Sequence, residues 1–408
     1  MKFTNAFTED FVLTDDILSI GQMAKERKKT NPATIDATIG ALLNDKGVLL
    51  AFPTIEKTLS SQDSAKVRAY PPVDGGKPFK KALKQWVFQD TLSQIESAFH
   101  LEVLATPGAS GALSNVLANY VTQGDFVVLP DIFWSNYAAI INATEAGHVT
   151  YPMFRNNQFN LEGFKKTTTL IAKETNKVVV LLNDPCQNPT GYSLSKAELE
   201  GIIAHLDELG KTIPVVLIYD IAYLDYADSK YEDTRNRFKA FLNVNSSMLI
   251  TIAFSASKTF GIYGYRGGGV IALSKDQQVI EEFSRVALYK ARSTWSCPPT
   301  EPIFLMNALH ENPDLQKQFL IELNEVRALL QARAQVFIKE AEVVNLVHYP
   351  YVSGFFVTIP VLQPKVVFER LKAKDIFVVP LTSAIRVALA AISVKEIEGL
   401  ALKIKQEI

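Results

Sequence analysis

Lys258 is the lysine in this sequence whose neighbours best suit covalent chemistry on a carbonyl group. It follows the apolar run 248–254 and stands directly after Ser255, Ala256 and Ser257. A lysine amine attacks a carbonyl carbon only while it is neutral, and a dry, crowded site lowers its pKa. The small neighbours also leave room for a planar adduct close to the backbone. The alternative is a solvated surface lysine, which describes most lysines in any chain.

Asp220 and Tyr223 stand together at the end of another apolar run. The segment 214–226 reads PVVLIYDIAYLDY. A carboxylate that faces a pyridine nitrogen keeps that nitrogen protonated, and a phenol can donate a hydrogen bond to an oxygen on the same ring. The alternative for Asp220 is a turn or helix-capping aspartate, which is common after strands.

Two glycine-containing turns add an amide and a candidate anion site. The segment 183–191, NDPCQNPTG, has two prolines and a closing glycine, and is predicted to be a turn that presents Asn188. The segment 105–120, ATPGASGALSNVLANY, is a Gly/Ala/Ser turn that leads into a helix. Backbone N–H groups and the helix dipole at such a start favour phosphate. The alternative is an ordinary helix start that Ser110 caps.

The candidate site residues must be positioned by the short apolar runs that precede them. These runs alternate with longer amphipathic segments such as 195–209. The runs lie at 126–129, 178–182, 215–219, 248–254 and 269–273. Their Val and Ile content, without alternating polar residues, is typical of strands buried on both faces. This order predicts an α/β domain with a mostly parallel sheet. Ligands then lie beyond the carboxyl ends of the strands, close to where Asp220 and Lys258 stand.

Taken in chain order, these segments resemble the signature of fold-type I pyridoxal-5′-phosphate (PLP) aminotransferases, and within it the aspartate/aromatic aminotransferase subgroup. The order is N-P-T-G, then D-x-x-Y, then S-x-S-K with Arg266 eight residues after the lysine. The resemblance extends in pieces from about Asp36 to Arg386, which is most of the chain. It implies PLP as the cofactor and a PLP-transferase fold of type I.

The same resemblance implies two domains. A large PLP-binding domain is expected over residues 52–325, with a mostly parallel seven-stranded sheet between helices. Residues 1–51 and 326–408, from both termini, are expected to form a smaller α+β domain. The C-terminal pattern agrees with this, since 364–374 predicts a helix, 376–379 a strand and 394–408 a closing helix.

The resemblance also implies a role for each residue around PLP. Lys258 binds the aldehyde covalently and later transfers the substrate proton. Asp220 pairs with the pyridine nitrogen, while Tyr223 and Asn188 hydrogen-bond the ring oxygen. The residues that hold the phosphate are Gly108, Ala109, Ser110, Ser255 and Arg266.

Two aromatic residues complete the implied cofactor site. Trp134, in PDIFWSNY, matches the aromatic residue that stacks on the pyridine ring; alone it would read as an ordinary core or surface aromatic. Tyr70, in YPPVDGG, matches a tyrosine that reaches the phosphate in the neighbouring subunit. The resemblance therefore implies a homodimer with shared active sites.

Substrate binding is implied at three further positions, beside Trp134 and Asn188. Arg386, in SAIRVALA, matches the arginine that grips the substrate α-carboxylate in a bidentate fork. Arg292, in ARSTWSCPP, matches the arginine that enters the partner's pocket and binds a side-chain carboxylate; its alternative is an interface salt bridge. Gly40, in ATIGALLNDKG, matches the segment that closes over the substrate.

Three positions depart from the aspartate-specific pattern. Trp295 stands where tyrosine is usual, and Tyr137 and Gln187 stand where histidines are frequent. The expected reaction is therefore transfer of the amino group of an amino acid, aspartate or aromatic, to 2-oxoglutarate.

Composition argues against several other classes of protein. With 42 basic and 43 acidic residues the formal net charge is −1, which favours neither nucleic acid nor a membrane surface. The two cysteines form no disulfide framework and no zinc spacing, so no metal is expected, and they suit a reducing cytoplasm. No apolar run approaches the ~20 residues of a membrane helix, and the N-terminal residues do not resemble a secretory signal.

Alternative functions remain on the same fold. A C–S β-lyase, a decarboxylase or a racemase would keep the cofactor, but the pair Arg292 and Arg386 favours a dicarboxylate 2-oxo acid and hence transamination. A regulator with an aminotransferase-like domain would need an additional DNA-binding domain ahead of Gly40. A degenerate interaction protein would not need the complete set of cofactor residues.

Overall fold

A computed structural model describes residues 3, 4, 7–9, 11, 16–227 and 230–408 of the chain. The chain forms two compact units. The large unit comprises Leu50–Leu329 and Pro350–Gly354, and the small unit comprises Met1–Leu49, Leu330–Tyr349 and Phe355–Ile408. In the part of the chain that the structure describes, no helix is long and apolar enough to cross a membrane.

The strands of the described residues are numbered in chain order. They are β1 (Ile35–Asp36), β2 (His100–Pro107), β3 (Phe126–Pro130), β4 (Gly147–Tyr151), β5 (Phe154–Arg155), β6 (Gln158–Phe159), β7 (Val178–Asn183), β8 (Val215–Asp220), β9 (Leu249–Ser255), β10 (Gly267–Ser274), β11 (Phe356–Pro360), β12 (Ile376–Phe377), β13 (Val379–Pro380) and β14 (Ala384–Ala388).

A seven-stranded sheet forms the centre of the large unit, in the order β2-β10-β9-β8-β7-β3-β4. Every neighbouring pair is parallel except the two pairs that involve β10, which runs antiparallel to β2 and to β9. Each of the five apolar runs noted in the sequence coincides with a strand of this sheet, except that Met248 precedes the start of β9. The predicted α/β fold with a mostly parallel seven-stranded sheet is thus confirmed.

The sheet is buried because helices cover it. The helices of the large unit are Pro53–Ser60, Ser64–Arg68, Gly76–Phe88, Leu92–Ala98, Gly108–Tyr120, Asn136–Asn142, Leu161–Thr175, Lys196–Gly210, Ala256–Thr259, Gln277–Thr294 and Thr300–Glu311, with 3-10 turns at Gln89–Thr91, Leu224–Tyr226, Glu232–Asn243 and Tyr263–Tyr265. All six residues of β8 and the first five of β7 are buried. Such strands need apolar side chains on both faces, which explains their continuous Val, Ile and Leu content.

The small unit combines helices with short strands. Its helices are Asp16–Thr30, Pro364–Ala373, Val394–Ile397 and Leu400–Glu407, with a 3-10 turn at Leu389–Ala391; the helix Pro313–Val343 includes the boundary between the units. Strands β11, β14 and β13 form an antiparallel sheet in that order, and β1 pairs with β12 in parallel.

Two sequence predictions in the small unit were too simple. The predicted strand 376–379 is two strands, because β12 pairs with β1 whereas β13 pairs with β14. The predicted helix 394–408 is interrupted at Gly399, which adopts a left-handed φ of 79° and separates the helices Val394–Ile397 and Leu400–Glu407. Glycine tolerates this backbone conformation and often ends a helix there.

Candidate active site

The carboxyl edge of the parallel strands collects the polar residues noted in the sequence. Asn183 ends β7 and is the register partner of Asp220, which ends β8. Ser255 ends β9 and is paired with Gly268 at the start of the antiparallel strand β10. On the far side of β10, Gly267 pairs with Pro107, which ends β2. Parallel strands thus bring residues far apart in the sequence to one edge of the sheet.

Asp220 is a buried carboxylate whose two oxygens each accept a hydrogen bond. Its side chain is 3% exposed. Oδ2 accepts from the Tyr137 hydroxyl at 2.6 Å, and Oδ1 accepts from the Ala222 backbone N–H at 2.9 Å. Burial raises the pKa of Asp220, and these two donors and the positive charge of Lys258 oppose that rise. A cation opposite this carboxylate would therefore be stabilised.

Lys258 provides a nearby amine. It lies in the short helix Ala256–Thr259 directly after β9, where the Tyr226 hydroxyl donates a hydrogen bond of 3.0 Å to its backbone carbonyl. Its Nζ atom is 4.7 Å from the centre of the Tyr263 ring. Because its charge opposes the rise that burial causes in the pKa of Asp220, the two side chains are electrostatically coupled across this edge of the sheet.

Asn183 connects the Asp220 strand to the Asn188 loop. Its Nδ2 atom donates to the backbone carbonyl of Asp220 at 3.0 Å, and its Oδ1 atom accepts from the Asn188 N–H at 2.8 Å. Asn188 and Tyr223 are both buried, and Tyr223 interacts electrostatically with Tyr137. The side-chain amide of Asn183 therefore sets the relative positions of Asp220 and Asn188, two predicted cofactor residues.

Gly108 and Arg266 form one end of the site. Gly108 begins the helix Gly108–Tyr120 with a left-handed φ of 71°, and its N-cap residue, Pro107, makes no side-chain hydrogen bond to the helix. A Cβ atom on Gly108 would lie 3.0 Å from Arg266 Nη2. The missing side chain therefore leaves backbone N–H groups, a helix N-terminus and a guanidinium around one small space. This arrangement suits a phosphate.

The remaining residues predicted at the phosphate lie beside this space. Ala109 is buried and Ser110 half-buried in the first turn of the helix. Arg266 Nη1 donates to Ser257 Oγ at 3.3 Å, and Ser255 Oγ accepts from the Ser257 N–H at 3.3 Å. A Cβ atom on Gly268 would lie 2.5 Å from the carbonyl carbon of Gly108, so the close approach of β10 to the helix start requires glycine.

Three other predicted residues of the large unit lie outside this cluster of hydrogen bonds. Trp134 is half-buried, with its ring centroid 5.3 Å from that of Tyr137 at an interplanar angle of 81°. Tyr70 is 91% exposed. Arg292 is exposed near the end of the helix Gln277–Thr294, and its Nη1 atom donates to Ser296 Oγ at 2.6 Å.

The small unit contains its own cluster around Arg386. This arginine is 3% exposed on β14, and its Nη2 atom donates to the Thr38 carbonyl at 2.7 Å. Its guanidinium carbon lies 4.3 Å from the centroid of the Phe356 ring. A Cβ atom on Gly40 would lie 2.9 Å from the same ring. Two residues predicted to bind substrate, Arg386 and Gly40, thus share one aromatic neighbour.

Sequence reasoning missed the structural roles of several residues. In the sequence Tyr137 is only a departure from a pattern and Asn183 only the first residue of a predicted turn, yet both hydrogen-bond Asp220. Gln187 secures its own turn, since its Nε2 atom donates to the Ile132 carbonyl at 2.7 Å and its Oε1 atom accepts from Thr190. Phe356 carries no sequence signal at all, because its role depends on the pairing of β11 with β14.

The model of the family aminotransferase class I and II matches residues 19–404. The chain belongs to this family. Among its relatives, the aromatic-amino-acid aminotransferase of Paracoccus denitrificans is 28% identical over 330 residues, 79% of either chain. The tyrosine aminotransferase of Rhizobium meliloti is 27% identical over 308 residues, 74% of this chain and 75% of that one.

Solved structures of aminotransferases have the same fold. The aminotransferase of Anaerococcus prevotii superimposes with a TM-score of 0.93 at 28% identity and covers 100% of this chain and 99% of its own. The aromatic-amino-acid aminotransferase of Burkholderia pseudomallei, which is covalently bound to PLP, has a TM-score of 0.82 at 20% identity and covers 99% and 100%. The resemblance noted in the sequence is confirmed: the chain is a PLP-dependent amino acid aminotransferase.

The residues at the edge of the sheet fit the cofactor of this aminotransferase. PLP carries an aldehyde, a basic ring nitrogen and a phosphate. Lys258 supplies an amine, Asp220 a buried carboxylate, and the space around Gly108 and Arg266 an anion cradle. Lys258, Asp220, Gly108 and Arg266 all belong to the large unit.

Proposed function

We propose that this aminotransferase transfers the amino group of aspartate or an aromatic amino acid to 2-oxoglutarate, with Lys258 as the residue that holds PLP. The observation that carries the proposal is the buried carboxylate of Asp220, coupled to Lys258 and located at the same edge of the sheet as the Gly108–Arg266 cradle. A lysine, an acid and an anion cradle so arranged match the three reactive parts of PLP.

The chain's own residues divide the chemistry between them. When bound, PLP supplies an electron-accepting ring that stabilises the negative charge left at the substrate Cα. Asp220, fixed by two donors, keeps a positive charge at the ring nitrogen. Lys258 would hold the cofactor through its Nζ atom and, when that atom is released, would carry the substrate's Cα proton on it. Positioned proton transfer of this kind typically contributes ~10²–10⁴-fold in rate.

Two arginines are proposed to bind the carboxylates of the substrate. Arg386 presents a planar guanidinium whose orientation is set by the Thr38 carbonyl and the Phe356 ring. Such a fork suits the α-carboxylate that every amino acid substrate carries. Arg292 is proposed to bind the distal carboxylate of a dicarboxylic substrate. Trp295, in place of tyrosine, is a reason to expect aromatic donors as well.

A homodimer with shared active sites is part of the proposal. Tyr70 and Arg292 are exposed in the isolated chain, whereas Arg386 and Asp220 are buried. We expect the exposed Tyr70 to reach the phosphate, and the exposed Arg292 the distal carboxylate, in the neighbouring subunit's active site. A cytoplasmic location also stays a prediction, from the chain's two cysteines, Cys186 and Cys297.

The test combines one variant with a panel of donors. We expect Lys258→Ala to abolish both turnover and the absorbance of covalently held cofactor. Lys275→Ala is the matched control, since Lys275 also lies over an aromatic ring, at 4.4 Å from that of Phe99, and it should retain both. Normal transamination by Lys258→Ala would refute the assignment.

The donor panel decides the reaction class and the substrate. Aspartate, glutamate, phenylalanine, tyrosine and leucine are each supplied with and without 2-oxoglutarate. We expect turnover that requires 2-oxoglutarate and prefers aspartate or an aromatic donor. Turnover without a 2-oxo acid would instead indicate a C–S β-lyase or decarboxylase, and a preference for leucine would contradict the role of Arg292.

A further inference from the structure

The Tyr137 hydroxyl reaches Asp220 from a different element of the large unit. Tyr137 lies in the helix Asn136–Asn142, and its hydroxyl donates a hydrogen bond of 2.6 Å to Asp220 Oδ2 at the end of β8. The tyrosine is 2% exposed and the aspartate 3%. A buried bond of this length between a neutral donor and a carboxylate is a strong one.

Both oxygens of Asp220 are already oriented by the protein. The Ala222 N–H holds Oδ1 at 2.9 Å, the Tyr137 hydroxyl holds Oδ2, and Asn183 holds the backbone carbonyl at 3.0 Å. Loss of the phenol would leave Oδ2 without this donor, whereas the bond from Ala222 would still hold Oδ1. Each carboxylate oxygen can accept a second hydrogen bond, so the plane set by these donors decides where a further donor must lie.

Packing keeps the Tyr137 ring in place. Its ring is stacked on that of Phe133, with centroids 6.5 Å apart and an interplanar angle of 14°, and it meets Trp134 edge-on at 5.3 Å. Burial and the neighbouring carboxylate raise the pKa of Tyr137 well above its ordinary value, so the phenol donates its proton and carries no charge. The donor is therefore rigid and electrically neutral.

We propose that Tyr137 is a positioning residue that orients the Asp220 carboxylate toward the cofactor's ring nitrogen. The inference rests on the proposed function, since it assumes that Asp220 faces that nitrogen. Tyr137 touches neither the reacting atoms nor the substrate in this scheme and acts only through Asp220. Its contribution should therefore be visible in cofactor binding and not only in turnover.

The experiment compares two ligands of the apoenzyme at equilibrium. One is PLP and the other is its 1-deaza analogue, in which a C–H group replaces the ring nitrogen. We expect Tyr137→Phe to weaken PLP binding by about tenfold, the loss of one hydrogen bond to a charged group. Binding of the analogue should change by less than about threefold, because it lacks the atom that Asp220 recognises. Tyr137→His, which restores a donor, should recover part of the difference.

Tyr219→Phe is the matched control. Its hydroxyl also donates to a buried carboxylate, that of Asp184, and Tyr219 precedes Asp220 on β8, so its side chain points to the opposite face of the sheet. This variant should leave the ratio of the two affinities unchanged. An equal loss for both ligands in Tyr137→Phe, or no loss for either, would overturn the inference.

Asp220→Asn separates this inference from the proposed function. If Asp220→Asn abolishes the preference for PLP while Tyr137→Phe retains it, only the role of Tyr137 fails. If the wild-type apoenzyme binds PLP and the analogue equally well, Asp220 does not recognise the ring nitrogen, and both the proposed role of Asp220 and this inference are wrong.

Discussion

The guanidinium carbon of Arg386 lies 4.3 Å from the centroid of the Phe356 ring. The two residues are on adjacent antiparallel strands, β14 and β11, and both are buried. A ring face at this distance attracts the cation and restricts its rotation, a contact worth ~0.5–2 kcal/mol. The pair restrains the guanidinium that we propose binds the α-carboxylate.

Arg386→Lys should impair every amino acid substrate to a similar degree. Lysine keeps the charge but loses the planar fork, so hydrogen bonds to a charged group worth about 1.5–3 kcal/mol are weakened. We expect kcat/KM to fall by about 10- to 150-fold for aspartate and phenylalanine alike. Phe356→Leu should have a smaller effect in the same direction. Phe368→Leu, which removes a buried ring 5.5 Å from Lys372 in the same unit, is its control and should retain activity.

Gly40→Ala should be impaired because its Cβ atom would lie 2.9 Å from the Phe356 ring. The ring or the Gly40 segment must move, and either shift disturbs the neighbour of Arg386. We expect a lower kcat/KM, with partial recovery in the double variant Gly40→Ala/Phe356→Leu, where the atom that clashes is gone. If the double variant lost more kcat/KM, expressed as free energy, than the two single variants together, this coupling would be contradicted.

Asp220→Asn should alter how the stability of the apoenzyme depends on pH. Burial raises the pKa of Asp220, so between the usual aspartate value of ~3.9 and the raised value the folded state binds more protons than the unfolded state. The free energy of unfolding contributed by this group therefore falls as the pH rises through that window. Above it, we expect the Asn variant to have the higher unfolding midpoint.

The measurement is thermal unfolding of both apoenzymes at one concentration over a series of pH values. Below the window Asp220 is protonated in the folded and the unfolded state alike. The unfolding midpoints of the wild type and of Asp220→Asn should then differ only by the pH-independent effect of the substitution. PLP should stabilise the wild type more than the variant, since the carboxylate then faces a positive ring nitrogen. A variant whose difference from the wild type does not change with pH would show that Asp220 does not titrate in this way.

Arg292→Gln should discriminate between 2-oxo acids. If Arg292 binds a distal carboxylate, kcat/KM for 2-oxoglutarate should fall by about 10- to 150-fold, the loss of hydrogen bonds to a charged group. The value for phenylpyruvate, which has no distal carboxylate, should change by about twofold or less. Ser296→Ala, which removes the 2.6 Å bond to Arg292 but keeps the guanidinium, should have an intermediate effect on 2-oxoglutarate. An equal loss for both acids would assign Arg292 to the interface alone.

Local sequence was sufficient to predict the sheet, and it placed the candidate cofactor residues at or just beyond the ends of its strands. Runs such as 178–182 and 215–219 are continuously apolar because helices cover both faces of their strands, and that requirement can be read without any tertiary information. Lys258 and Asn188 follow the strands β9 and β7, and Asp220 is the last residue of β8. Ligands bind beyond the carboxyl ends of such strands, so these positions could be singled out from the sequence.

Only the tertiary structure decided which side chains orient Asp220 and Arg386. Tyr137 lies 83 positions before Asp220, and Thr38 lies 348 positions before Arg386, so no local pattern could pair them. Their contacts depend on the order of strands in each sheet and on the burial that follows. Chemistry at a single residue is a local property of the sequence, whereas the direction of a carboxylate or guanidinium depends on elements distant in the chain.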